Sequence, residues 1–217
     1  MVCKAPPIMV NDRPIAVLIL AAGESSRMKK LKPLLPMEGQ TVIERVIGLF
    51  RMIGIADILV VLGYAADQLI PVLNKQGVSY VINEDYRRGM FSSVRTGAEH
   101  LGEGCGAFFV LPADMPFVRA ETLQKLVCAF RETGKAIYRP QYQGRRGHPP
   151  LISAALIPAI LAFKDPGGLR VLLAAYEERC VDVDCDDPGI LIDLDTPEDY
   201  QKYRFVRQTT ARRRHTC

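Results

Sequence analysis

Apolar runs and amphipathic stretches alternate along most of this chain. Residues 15–20 (IAVLIL) form a continuous apolar, partly β-branched run, the pattern of a strand buried on both faces. Residues 41–53 then place Val42, Val46, Ile47, Leu49, Phe50 and Ile53 at helical spacing, with Glu44 and Arg45 directed outward. A second buried strand is predicted at 57–62, with Gly63 at its turn. The short helix at 67–74 contains Pro71, which limits it to little more than a turn on either side. A strand at 78–82, a helix at 92–101, a strand at 107–111 and a helix at 120–131 continue the alternation. Repeated strand–helix–strand units imply right-handed crossovers and a mostly parallel sheet covered on both faces. The final third is less regular: a strand at 136–139, a loop, helices at 154–163 and 169–177, and strands at 181–184 and 190–192, with some antiparallel pairing. The expected architecture is a three-layer α/β/α, Rossmann-like domain over residues 14–206, with a disordered lead at 1–13 and a basic tail at 207–217.

This topology locates the chemistry. Open α/β sheets bind ligands beyond the carboxyl ends of their strands, near the point where strand order reverses. The segments after the first, third and fourth strands are therefore the candidates. After the first comes LAAGESSRMKKLKPLL, where a small-small-Gly step off a buried strand lets backbone amides approach a phosphate chain. Arg27, Lys29, Lys30 and Lys32 supply four cations there, and Pro33 and Pro36 prevent a regular helix. With a single glycine the loop matches neither GxGxxG nor the Walker-type pattern. After the fourth strand comes LPADMPFV, in which Pro112 and Pro116 bracket Asp114. A carboxylate so placed suits a hard cation such as Mg²⁺ carrying phosphates; capping the helix near Arg119 is the plainer alternative. After the third strand, Asn83 offers a donor and an acceptor for base recognition, while Ser92 and Ser93 either cap the next helix or grip a ligand.

Composition narrows the classes. The chain has 217 residues, 48% hydrophobic and 24% charged, a balance that argues against disorder. No apolar run reaches membrane-spanning length and no signal-peptide pattern opens the chain, so a cytoplasmic protein without a membrane partner is expected. Much of the +4 net charge lies at Arg212, Arg213 and Arg214, and without a reader motif or stacking platform no nucleic-acid partner is expected. The six cysteines are scattered without metal-type spacing and read as buried or incidental thiols.

Taken together, the segments resemble the MobA-like NTP transferase family, most closely its molybdenum cofactor cytidylyltransferase branch. The pattern LAAGxSxRMGxxK is met at Leu20, Ala21, Ala22, Gly23, Ser25, Arg27, Met28 and Lys32, with Lys29 in place of the glycine. ADMP matches at Ala113 and Asp114, after Pro112, and the GM-x-SS-x-R-x-G segment at Gly89, Met90, Ser92, Ser93, Arg95 and Gly97, although Phe91 stands where a small residue is common. GHP at Gly147, His148 and Pro149 and DxDTPED at 193–199 also match, and DPGGLR, ending at Arg170, stands for the acceptor loop in a shifted form.

The resemblance implies a nucleotide-diphospho-sugar transferase type of sheet and an Mg²⁺-dependent transfer of a nucleoside monophosphate to a phosphorylated acceptor. CTP is favoured because the first motif reads LAAG and not LAGG, and molybdopterin is the implied acceptor, with pyrophosphate released. Arg27 and Lys32 would serve the triphosphate, Asp114 and Asp193 the metal, and His148 and Arg170 the acceptor. His148 also reads as a general acid or a packed loop residue. Asp195 is a further metal-ligand candidate by the same pattern, but reads better as the cap of the helix that Thr196 and Pro197 open. Transient contact with a molybdoenzyme or its chaperone belongs to the same implication. Other readings are guanylyl transfer to molybdopterin, a sugar or polyol phosphate acceptor, a non-catalytic nucleotide-binding accessory, and redox chemistry, against which the missing dinucleotide fingerprint weighs.

Overall fold

The computed structural model describes residues 8–10, 13–24, 28, 30–102, 104–164 and 166–204. In chain order the strands and α-helices are β1 (Met9–Val10), β2 (Arg13–Ala21), β3 (Pro36–Met37), β4 (Gln40–Thr41), α1 (Val42–Met52), β5 (Asp57–Leu62), α2 (Ala66–Gln76), β6 (Ser79–Ile82), α3 (Met90–Glu99), β7 (Ala107–Pro112), α4 (Ala120–Thr133), β8 (Ile137–Tyr142), β9 (Arg145–Arg146), β10 (Leu151–Ser153), α5 (Ile157–Ala162), α6 (Gly168–Ala175), β11 (Cys180–Asp184) and α7 (Pro197–Tyr203). The main sheet runs β11-β8-β10-β7-β2-β5-β6. β2 pairs in parallel with both β5 and β7, and β5 with β6, whereas β10 is antiparallel to β7 and β8.

Alternation along β2 builds the two cores. Ile15, Val17, Ile19 and Ala21 pack on one face with Val46, Phe50, Leu69, Leu126 and Phe130 of α1, α2 and α4. Ala16, Leu18 and Leu20 pack on the other with Val94, Ile160 and Leu172 of α3, α5 and α6. A strand buried on both sides must be apolar at every position, which is why residues 15–20 carry no polar side chain.

The structure departs from the expected elements at particular points. Met9 and Val10, within the segment read as a disordered lead, pair antiparallel with β2; the basic tail at 207–217 lies outside the described residues. α2 is a continuous helix despite Pro71, whose ring is exposed while Leu69 and Leu73 are fully buried, so water can serve the carbonyl that loses its partner. In place of the expected strand at 190–192, Ile190 and Leu191 end a 3-10 turn, Pro188–Leu191, which Asp187 caps by accepting from Gly189 N. Arg45 is buried and not outward: its Nε donates to the Pro116 carbonyl at 3.1 Å and a terminal nitrogen to Glu38 at 2.6 Å. Cys105, Cys180 and Cys185 are free thiols, but Cys128 is disulfide-bonded, contrary to the reading of incidental thiols. Among the described residues no helix is long and apolar enough to cross a membrane.

Candidate active site

The sheet has its reversal point at β2, with β5 and β6 on one side and β7 on the other. Leu20 lies opposite Pro112 in the register, and Ala113 N donates to the Leu20 carbonyl at 2.9 Å. The two chain segments therefore leave the sheet side by side. A cavity of about 270 Å³ opens there, lined by Leu20, Ala21, Ala22, Gly23, Lys32 and Pro33 after β2, by Pro112, Ala113 and Asp114 after β7, and by Tyr86, Gly89, Met90 and Ser93 beside α3. A Cβ on Gly23 would meet no atom within 4 Å, so its backbone borders open space. Arg27 and Ser25 lie outside the described residues.

Lys32 crosses this junction. Its ammonium donates to Asp114 Oδ2 at 3.0 Å and to Asp195 Oδ1 at 2.6 Å. Burial works to lower the Lys32 pKa, but the hydrogen bonds and charges of the two carboxylates outweigh it and raise it. Asp114 does not cap α4: the first turn of that helix is served by Asp187, which accepts from Arg119 N and from Thr122 Oγ1. Asp195 does not cap either, a correction to its expected role. Thr196 is the N-cap of α7 and closes a capping box with Asp199, and the Asp195 carboxylate accepts from Lys32 instead. Leu194 N donates to the Asp114 carbonyl at 3.0 Å and brings the C-terminal acids to the β7 loop. The Asp193 pKa is raised, first by loss of solvent and then by the like charges of Asp195 and Asp114.

The segment after β6 is organised around Asn83, which is 2% exposed. Its Nδ2 donates to Ser92 Oγ at 2.8 Å and Ser93 Oγ at 3.0 Å, and its Oδ1 accepts from Asp85 N. The amide thus fixes the loop that carries Tyr86 and Gly89, and of the two serines it is Ser93 that lines the cavity.

A second cavity, about 660 Å³, adjoins the first through Leu20, Gly89 and Met90. Its walls are apolar at Phe91, Val94, Val110, Leu169 and Leu173, and its cations are Arg88, Arg139, Arg146 and Arg170, with His148 beside them and no described carboxylate in the lining. Phe91 packs edge-on against Phe163, with the Arg95 guanidinium over its face. His148 Nδ1 is buried and has no hydrogen-bond partner among the described residues. Burial lowers the His148 pKa, opposed by the Val110 backbone and by the charges of Asp114 and Asp193. Arg139 is held by Glu177 and Asp182, and Arg146 by the same two acids, so the Asp182 carboxylate belongs to this ion network.

Residues 17–180 match the model of the MobA-like NTP transferase domain. The chain belongs to this family. It is 28% identical over 204 residues to the molybdenum cofactor cytidylyltransferase of Escherichia coli (strain K12), covering 93% of this chain and 97% of that protein. It is 30% identical over 196 residues to the nicotine blue oxidoreductase of Paenarthrobacter nicotinovorans, covering 87% and 95%. A nucleotidyl transferase from Methanothermobacter thermautotroptrophicus has the same fold, with a TM-score of 0.75 at 24% identity over 88% of this chain and 95% of that one. This MobA-like chain is a nucleotidyltransferase that uses an NTP and a phosphorylated acceptor.

The family carries an expectation of a divalent cation. Among the described residues no three His, Cys, Asp or Glu groups are arranged to hold one. The donor chemistry nevertheless fits: Mg²⁺ is commonly held by one or two carboxylates together with substrate phosphates, not by an all-protein cage. Asp114 and Asp193 offer hard oxygens, and the like-charge strain on Asp193 is of the kind a cation relieves. Asp195, a further metal-ligand candidate in the sequence, stands there behind a plausible capping role, and Arg139 is missed, its only signal being a cation that is buried within a strand.

Proposed function

We propose that this protein transfers CMP from CTP to molybdopterin, releasing pyrophosphate, in the cytoplasm. The observation that carries the reading is the pair of adjoining cavities, one built from the β2 and β7 ends with Lys32 and Asp114, the other apolar with a cationic rim. The first suits a triphosphate; the second suits an acceptor with an apolar body and an anionic group. The likeness to the E. coli cytidylyltransferase over nearly the whole of both chains supports molybdopterin, and LAAG at 20–23 supports CTP. On this reading the product passes to a molybdoenzyme or its chaperone.

The chemistry asks little of a base. A phosphomonoester has its second pKa near 6 and is mostly dianionic at neutral pH, so the acceptor oxygen is already a nucleophile. A bond forms between that oxygen and the α-phosphorus of CTP while the bond to the β-phosphate oxygen breaks, the electron pair leaving with pyrophosphate. Arg27 and Lys32 neutralise charge on the triphosphate, and the amides after β2 orient it. Asp114 and Asp193 would hold Mg²⁺, which when bound lowers the negative charge that the nucleophile must approach. Arg170 and the cations beside it hold the acceptor, and His148, kept neutral by burial, offers a hydrogen bond without adding charge. The 30% identity to an oxidoreductase favours no redox step, because no dinucleotide fingerprint follows β2.

The test is to incubate the protein with Mg²⁺, molybdopterin and each NTP separately and to measure pyrophosphate. Release with CTP alone is expected. Release only with GTP overturns the choice of base, and release with no NTP overturns the reading.

A further inference from the structure

Lys32 holds a position that simple phosphate binding does not explain. Its side chain is 11% exposed, and its ammonium is gripped by carboxylates from distant parts of the sequence, Asp114 after β7 and Asp195 before α7. The 2.6 Å contact with Asp195 is the shorter of the two, as befits a charge-assisted bond. Asp195 has no competing duty as a cap, since Thr196 and Asp199 satisfy each other. Asp193 stands close enough to feel both carboxylates. Three acids approach one another here, and the Lys32 ammonium supplies the positive charge between two of them.

We infer that Lys32 is an exchangeable counter-cation, whose ammonium occupies the divalent metal's place on Asp114 in the nucleotide-free protein, anchored by Asp195, and moves to phosphate oxygens when metal and triphosphate enter. The inference rests on the reading of this site as a metal-dependent nucleotidyltransferase centre and deepens it by assigning Asp195 a positioning role. One cation is traded for another, so the carboxylates are never left unpaired. The trade also couples the ligands. Metal alone must displace the ammonium from Asp114 with nothing given in exchange, whereas metal with a triphosphate offers the ammonium phosphate oxygens in place of that contact. Each ligand therefore raises the affinity for the other.

The experiment titrates Mn²⁺ into the nucleotide-free protein and reads free Mn²⁺ by electron paramagnetic resonance. Lys32→Gln is expected to bind Mn²⁺ about tenfold or more tighter than wild type, the size of one charge-assisted contact. Lys32→Arg keeps the cation and is expected to bind as weakly as wild type, and adding Asp114→Asn to Lys32→Gln is expected to remove the gain. Equal or weaker binding by Lys32→Gln overturns the inference and leaves Lys32 a structural ion pair. Since that variant leaves two acids without their lysine and risks misfolding, a second measurement uses wild type. Acetylation of Lys32 by N-hydroxysuccinimide acetate, read by peptide mass spectrometry, is expected to rise several-fold with Mn²⁺ alone while Lys75 does not change. Unchanged Lys32 labelling at saturating Mn²⁺ overturns the exchange. Loss of pyrophosphate release with every NTP is a separate result, and it sinks the catalytic reading instead.

Discussion

At the scale of single residues, the proposed site gathers acids and cations whose sequence neighbours give little hint of their partners. Asp114→Ala removes one of the two carboxylates on Lys32 and a proposed metal ligand, yet caps no helix. Turnover is expected to fall by about a hundredfold or more, the scale seen when an electrostatic contact to a transition state is lost. The melting profile should stay close to wild type, and full activity would remove Asp114 from the centre. His148 gives a pH dependence. Burial lowers its pKa, so the unfolded chain takes up a proton near its ordinary value, about 6.5, before the folded one does. The stability this group contributes is therefore fully present above that value and declines as pH falls toward the folded pKa. Melting temperatures from pH 7.5 to 5 should drop less steeply in His148→Asn than in wild type; parallel curves would contradict the assignment. Asp114 was legible in the sequence because prolines and a strand end isolate it. Asp195 was not, because a local pattern, Thr-Pro-Glu-Asp, offered a sufficient explanation while its real partner lies 163 residues away.

At the scale of elements, the long apolar runs were readable and the short ones were not. Strands β2, β5 and β7 are buried nearly throughout, and continuous apolar sequence has few other uses over six residues. β10 is three residues long and follows two prolines, so nothing in its own pattern distinguishes it from a loop; its pairing is set by the space between β7 and β8. The stretch at 190–192 misled for a related reason: its apolar residues face a core, but Asp187 and Gly189 wind the backbone into a 3-10 turn. A Cβ on Gly189 would come within 2.0 Å of the Phe117 carbonyl, so only glycine permits this approach. Asp187, 2% exposed, accepts from Arg119 N, Thr122 Oγ1 and Gly189 N and joins this turn to the start of α4. Asp187→Ala strands three donors and is expected to cost about 3 kcal/mol or more in urea unfolding. A loss below about 0.5 kcal/mol would mean that water replaces the carboxylate without penalty. Because the same segment delivers Asp193 and Asp195, the variant should also weaken nucleotide-dependent Mn²⁺ binding.

At the scale of the whole molecule, strand order does the positioning. β2 lies between β5 and β7, so the chain leaves it at the one place where neighbouring segments diverge and a cleft opens. That cleft gathers the loop after β2, the acid after β7, the Asn83-braced turn before α3 and the acids before α7. The loop pattern and Asp114 foretold the cleft, whereas the second cavity depends on α6 and the β8–β10 region closing over α3, a long-range arrangement with no local signature. On the proposed reading the triphosphate lies between the β2 loop and Asp114, with the acceptor on the far side of Leu20. The most direct measurement is a crystal structure with a non-hydrolysable CTP analogue and Mg²⁺. Phosphates against the 21–23 backbone, with Lys32 turned onto them and the metal on Asp114, is the predicted result. Phosphates bound at the cationic rim of the second cavity, with Lys32 still on Asp114 and Asp195, would contradict it.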